Sequence, residues 1–364
     1  MPLKKSSKPF AASGDPVVEQ VYHGALNYAE LEALGIDPAA VLDFSVNSNP
    51  YGPPAGVLEA VSRTPLDRYP DRDSITLRRA LAVGLGIDSE QIVTGNGSTE
   101  LLLAAGRVLL KPGERVLVIG PTFGEYARSA KLGRALVSQW DAAPQTGFNV
   151  DLDTITRQIQ DIHPRLVFLC NPNNPTGFLL SLETISFWVS AFPDTLFMVD
   201  EAYGAFAAGF QSALTLKAEN VLVFRSMTKD YALAGLRLGY AAGPLALVEV
   251  MRQNLPAWNV NALAQAAGLA ALADPTFPLT FQNLASAKAD LLAGLDKLGL
   301  SLCPSQTHYF LVEVGRGAVF RRRLLQKNVL VRDCASFGLP NYVRIATRKP
   351  PENEILLEAI KKIL

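Results

Sequence analysis

From about Val93 to about Gly243 the chain alternates short apolar runs with stretches of helical periodicity, the pattern of a mostly parallel α/β sheet. The expected strands are Arg115–Ile119, Ala135–Trp140, Leu166–Cys170, Leu196–Asp200, Val221–Ser226 and Leu238–Ala242. Glu100–Leu110, Phe123–Leu132 and Thr184–Ala191 read as helices between them. The strand runs are nearly all apolar, as expected when helices cover both faces of a sheet. After Pro244 the pattern changes. Helical stretches at Leu245–Asn254, Asn259–Ala273 and Leu279–Leu298 lead to a strand at Phe310–Val314 and a helix at Ala318–Lys327. Strands at Val329–Asp333 and Tyr342–Ala346 and a closing helix at Glu352–Ile363 complete a smaller α+β unit. The division expected from these patterns is an N-terminal arm over 1–45, a large domain over 46–255 and a small domain over 256–364. Pro- and Gly-rich Asn49–Pro54 reads as an irregular entry segment.

Composition narrows the partners. Hydrophobic residues make up 49% and charged residues 19%, which suits a large buried core. Lys+Arg and Asp+Glu balance at 34 each, so charge gives no reason to expect nucleic acid or an anionic membrane. No apolar run approaches the roughly 18 residues of a membrane span, and Met1–Gly14 lacks the apolar stretch of a secretory leader. The cytoplasm is the expected compartment. Cys170, Cys303 and Cys334 are scattered, and the three histidines are well separated, so neither a disulfide framework nor a metal centre is expected.

The chemistry-bearing residues cluster at the C-terminal ends of the expected strands, where open α/β sheets place ligands. In T-G-N-G-S-T-E, Thr94 to Glu100, glycines precede an apolar helix whose free N–H groups could hold an anion. An ordinary turn with Ser98 or Thr99 as N-cap would look the same. In C-N-P-N-N-P-T-G, Cys170 to Gly177, Asn171 could present its amide to a ligand oxygen, or the segment could be a rigid turn. Asp200 ends the buried run L-F-M-V-D, which demands a cation: a protonated pyridine nitrogen, or a basic side chain elsewhere. Lys229, in S-M-T-K, follows another buried run, either as a desolvated lysine able to supply a neutral amine or as a solvated loop lysine. Arg237 opens a third, as an anion clamp or half of an ion pair.

The order G-N-G-S-T-E, N-P-N-N-P-T-G, D-E-A-Y, T-K and G-L-R-L-G-Y suits a phosphorylated pyridine aldehyde. From about Val21 to the C-terminus the chain resembles the fold-type I pyridoxal-phosphate enzymes, within the class of histidinol-phosphate aminotransferases and threonine-phosphate decarboxylases. The resemblance implies a large domain around a mostly parallel seven-stranded sheet and a smaller α+β domain. It implies pyridoxal phosphate as cofactor, linked to Lys229 as a Schiff base, with Asp200 on the ring nitrogen. Asn171 and Tyr203 would bond the ring oxygen, Phe123 would stack on the ring, and Ser98, Thr99, Ser226 and Arg237 would hold the phosphate. Tyr69, in R-Y-P-D, would reach the neighbouring cofactor phosphate across a homodimer. Arg344 would grip a substrate carboxylate and Arg332 a substrate phosphate.

His23, in H-G, together with P-T-F-G-E-Y, M-T-K-D-Y-A-L-A-G-L-R, W-N-V-N-A-L-A-Q-A-A and V-R-D-C-A-S-F, resembles the decarboxylase branch more closely, with His23 at the substrate. The chain departs from that branch at Ala25, where a second glycine is usual, and at His308-Tyr309, where Ala-Asn is usual. The first expectation is therefore decarboxylation of threonine phosphate, as in corrinoid (cobalamin) side-chain synthesis. The alternative is an aminotransferase acting on histidinol phosphate or a related amino acid with 2-oxoglutarate.

Overall fold

The computed structural model describes residues 23–364; the part of the expected arm before His23 lies outside the described residues. In chain order the strands are β1 (Leu42–Asp43), β2 (Ile92–Asn96), β3 (Arg115–Gly120), β4 (Leu136–Asp141), β5 (Leu166–Cys170) and β6 (Leu196–Asp200). They continue with β7 (Val221–Ser226), β8 (Leu238–Ala242), β9 (Ser301–Leu302), β10 (Tyr309–Glu313), β11 (Val329–Leu330), β12 (Arg332–Asp333) and β13 (Tyr342–Ala346).

A seven-stranded sheet runs in the order β2-β8-β7-β6-β5-β3-β4. Strands β3 to β7 are parallel, while β8 runs antiparallel to both β7 and β2. Every residue of β5, β6 and β8 is buried, because helices cover both faces of the sheet. One layer packs Leu101, Leu102 and Ala105 of the helix Ser98–Val108 with Tyr126 and Met251 onto Val118, Phe168 and Phe224. The other packs Ile155, Ile159, Ile185 and Trp188 onto Leu117, Leu169 and Val199. The helix Leu152–Ile162, absent from the expected elements, belongs to that second layer. Its sequence is largely polar, and only Ile155 and Ile159, one turn apart, are buried.

A second, antiparallel sheet has the order β12-β13-β10-β9. The single strand expected over Val329–Asp333 is divided between sheets: β11 pairs in parallel with β1, and β12 pairs with β13. Packing does not follow the expected boundaries at 45/46 and 255/256. Phe44 is fully buried in the core of the smaller sheet, among Phe310, Val343 and Leu356. The helix Ala262–Leu272 instead buries Ala264, Ala267 and Ala271 against Leu77, Leu81, Leu238 and Tyr240 beside the large sheet. Small side chains on that face let the helix approach closely, so it sides with the larger core.

Candidate active site

The strands β2, β6 and β7 end around one cavity of about 1040 Å³, which segments of the smaller sheet close from the other side. At its floor, β2 turns through Gly97 (φ 79°) into the helix beginning at Ser98. An added Cβ at position 97 would lie 2.7 Å from the Arg237 guanidinium and push it aside, and the φ of 79° itself favours glycine there. Arg237 itself sits in the left-handed region (φ 58°), a strained setting that other contacts must hold. The Ser226 hydroxyl meets that of Thr228 at 2.7 Å. Ser98, Thr99, Ser226, Thr228 and Arg237 line this end together. A helix start, three or more hydroxyls and a guanidinium make an anion cradle.

Lys229 lines the cavity just beyond β7. Burial, reinforced by the Arg344 and Arg237 guanidiniums, lowers its ammonium pKa to about 8, with Asp200 opposing. Asp200, at the end of β6, is buried; it accepts a 2.7 Å bond from the Tyr126 hydroxyl and a 3.0 Å bond from the Ala202 amide. Burial raises its carboxyl pKa despite those donors. No cation bonds it directly among the described residues; the Lys229 ammonium acts on it only through space. Tyr203 lines the cavity, with its ring edge-on to Tyr309 at 4.9 Å.

The expectation for Asn171 is corrected. Its amide donates to the Leu180 carbonyl at 3.1 Å and accepts from the Leu180 N–H at 2.8 Å, which ties it to its own loop and away from the cavity. Asn174, three residues on, lines the cavity instead and accepts from Arg344. Asn47, also lining it, has both amide atoms buried without a partner among the described residues. Neither signal stood out in the sequence, where Asn174 shares a motif with five other turn formers, Asn171, Pro172, Asn173, Pro175 and Gly177.

Arg344 is buried and donates to the Ser45 carbonyl at 2.6 Å. Its guanidinium lies 5.5 Å from the Tyr309 ring centre, and the Tyr309 hydroxyl donates to the Asn173 carbonyl at 2.9 Å. The departure at 309 thus places an aromatic floor under the arginine. The neighbouring His308 ring is buried against Phe206 at 3.9 Å, with neither nitrogen bonded among the described residues. Arg332 lines the cavity, bonds Ser336 at 2.7 Å and lies over the Phe337 ring.

On the opposite wall, Phe123 lies between His23 (5.4 Å) and Tyr126 (5.6 Å). His23 Nε2 is 3.1 Å from the buried Glu125 carboxylate, which also accepts from Arg128 at 3.0 Å. Burial pushes the Glu125 carboxyl up, but its bonds to His23 and Arg128 outweigh this and leave it below the usual range. Tyr69 does not reach the cavity of its own chain. It is 78% exposed and stacks on Trp258 at 4.7 Å.

This constellation fits pyridoxal phosphate. The cradle would suit its phosphate, Asp200, with no cation bonded to it among the described residues, would suit a protonated ring nitrogen, and Lys229 offers an amine that loses its proton at little cost. Residues 39–360 match the model of the aminotransferase class I and II family. The chain is 35% identical over 341 residues to a histidinol-phosphate aminotransferase 2 of Pseudomonas aeruginosa, covering 91% of each. It is similar to the crystal structure of the histidinol-phosphate aminotransferase of Sinorhizobium meliloti in complex with pyridoxal-5'-phosphate. The TM-score is 0.85 at 23% identity, over 98% of this chain and 100% of that one, which speaks to the fold. It is also similar to the L-threonine-O-3-phosphate decarboxylase of Porphyromonas gingivalis, with TM-score 0.78 and 28% identity over 88% of this chain and 98% of that one. Among the described residues, no helix is long and apolar enough to cross a membrane.

Proposed function

The chain belongs to the aminotransferase class I and II family, whose members depend on pyridoxal phosphate, and from that premise we propose that it transfers the amino group of a phosphorylated primary amine such as histidinol phosphate to a 2-oxo acid. One observation carries the substrate class. Arg332 and Arg344 are direct partners in the antiparallel β12–β13 pair, so both project from the same face with Cβ atoms about 5 Å apart. Burial and the Arg344 charge both lower the Arg332 pKa. The bonds of Arg344 go to Asn174 and a carbonyl, neither of which neutralises it. Two like charges so close favour a dianion between them, and arginine's planar fork suits phosphate oxygens. The sequence-based division of carboxylate to Arg344 and phosphate to Arg332 thus gives way to one joint clamp.

The bound cofactor supplies an electron sink for the charge left when a bond at the substrate's α-carbon breaks. Lys229 would anchor it, and the Lys229 amine would move the α-proton of the substrate. Asp200, held by Tyr126, would keep the ring nitrogen protonated. Asn174 and Tyr203 would bond the ring oxygen, and Phe123 would stack on the ring. The cradle of Ser98, Thr99, Ser226 and Arg237 would hold the phosphate.

Decarboxylation of threonine phosphate is the second reading. It is favoured by the His23–Glu125 pair, which joins two motifs of that branch in space. The name of the curated relative favours amino transfer. Incubation with histidinol phosphate and 2-oxoglutarate should yield glutamate; carbon dioxide from threonine phosphate, with no glutamate from the first mixture, would reverse the order. Arg332→Ala should raise KM for the phosphorylated amine by about ten- to a hundred-fold. The dephosphorylated amine should change far less, and equal losses would remove the clamp.

Exposed Tyr69 supports a homodimer with shared sites, a C2 arrangement being the commonest. Tyr69→Phe and Lys229→Ala subunits, each impaired alone, should recover roughly a quarter of wild-type activity when mixed one to one, since half the dimers carry one intact site. No recovery after subunit exchange would count against sharing.

A further inference from the structure

We propose that the cavity contains a second anion subsite, formed by Arg128 and Lys131, for the far anionic group of a substrate anchored at Arg332 and Arg344. It rests on the reading above that the paired arginines hold the first anionic group. Arg128 and Lys131 stand three residues apart on the helix Glu125–Leu132, hence on one face, and both line the cavity. The charges around that cavity are unequal. Among the described residues, six cationic side chains, Arg128, Lys131, Lys229, Arg237, Arg332 and Arg344, line it with one carboxylate, Asp200.

The cofactor would account for Lys229, Arg237 and Asp200, which leaves Arg128 and Lys131 on the helix wall with no carboxylate beside them on the cavity surface among the described residues. Buried Glu125, behind the wall, offsets Arg128 in part through one terminal nitrogen. The Arg128 Nε is buried with no partner among the described residues, and Lys131 makes no ion pair among them. A phosphate dianion between Arg332 and Arg344 would still leave Lys131 and part of the Arg128 charge on the α-helical wall. Glu125 also bonds His23, so the guanidinium is held at a fixed place on that wall. The ligand chemistry that matches is a carboxylate at the distal end of a dianionic substrate. It could come from a dicarboxylic oxo acid or from an amino acid that also carries a phosphate.

The test uses holoenzyme and the Arg128→Gln/Lys131→Gln double variant, with ligand binding followed by the shift of the cofactor's absorption band. Four probes are titrated: threonine phosphate against histidinol phosphate and, on enzyme in its amino-loaded form, 2-oxoglutarate against pyruvate. The dissociation constant for the doubly anionic member of at least one pair should rise about three- to thirty-fold, the size of a partly exposed charge-assisted contact. The singly charged-end partner should change less than about twofold. A rise confined to 2-oxoglutarate assigns the subsite to the oxo acid; one confined to threonine phosphate assigns it to the amino substrate. Equal changes within both pairs, or none, overturn the proposal. Lys131→Gln alone, which breaks no bond among the described residues, should show the same selectivity more weakly and guards against misfolding. Should neither phosphorylated amine bind the wild type, the functional reading fails on its own, and the 2-oxoglutarate and pyruvate pair still decides the subsite.

Discussion

An alanine at position 229 is expected to reduce turnover by at least ~10³-fold, since it removes both the covalent anchor and the proton carrier, the latter alone worth roughly 10²–10⁴. Borohydride should then reduce no linkage between cofactor and chain; a surviving linkage would place the anchor on another lysine. The substitution should also change how the cofactor-free protein responds to pH. The Lys229 pKa is about 8 in the fold and near the ordinary lysine value when unfolded. Between those two values the unfolded chain binds more protons at this site than the folded one. Stability from this group therefore rises as pH climbs through the window and is lost as pH falls through about 8. Because the side chain borders an open cavity, the effect is on the order of 1–3 kcal/mol. Lys229→Met should flatten that slope in urea unfolding, and an unchanged slope would mean that the amine is not desolvated.

Asp200→Asn is expected to lower turnover by roughly 10²–10⁴-fold, as the ring nitrogen can no longer be held protonated. Asparagine keeps the size of the side chain and can still meet Tyr126 and the Ala202 amide, so folding should be retained. The cofactor-free variant should even gain stability near neutral pH. The Asp200 carboxyl pKa is raised by burial, so the stability it contributes is present at low pH and is lost as pH rises through the folded value. A neutral amide carries no such loss. Higher thermal stability without cofactor, combined with lower stability gained on adding cofactor, is the signature to look for. Turnover near that of wild type would show that Asp200 is not the partner of the ring nitrogen.

How much of this was legible in the sequence depends on what signals each residue. Strands β5, β6, β7, β8 and β13 lie where their apolar runs put them, because a strand buried on both faces leaves an unbroken run. Strand β2 was not singled out: I-V-T-G-N is short and carries Thr, Gly and Asn, which read as a turn. The break at Val331 between two sheets leaves no mark, since V-L-V-R-D contains no glycine or proline to divide it. Lys229, Asp200 and Arg237 were legible because a charged residue ending an apolar run needs a reason to be there. Asn171 and Asn174 could not be told apart, as loop geometry alone decides which amide Leu180 occupies. Arg128 and Lys131 carry no signal of their own in the sequence; only the neighbouring walls place that partly exposed helix face beside the cavity.

The placement of Phe44 and Ser45 also bears on the order in which the protein can be assembled. Strand β1 has no partner until β11 exists, and the Ser45 carbonyl waits for an arginine 299 residues later in the chain. Contacts of such long range form late, because the loop they close must first be made and paid for in entropy. On a ribosome the large sheet can therefore form from its own strands while residues 42–45 remain unclaimed. Only the emergence of β11 and β13 lets them dock, which brings Ser45 and Asn47 to the cavity in the same step as Arg344. The proposed arginine clamp is thus completed long after the large sheet, and a ribosome-stalled chain lacking β13 should present the anion cradle without that clamp.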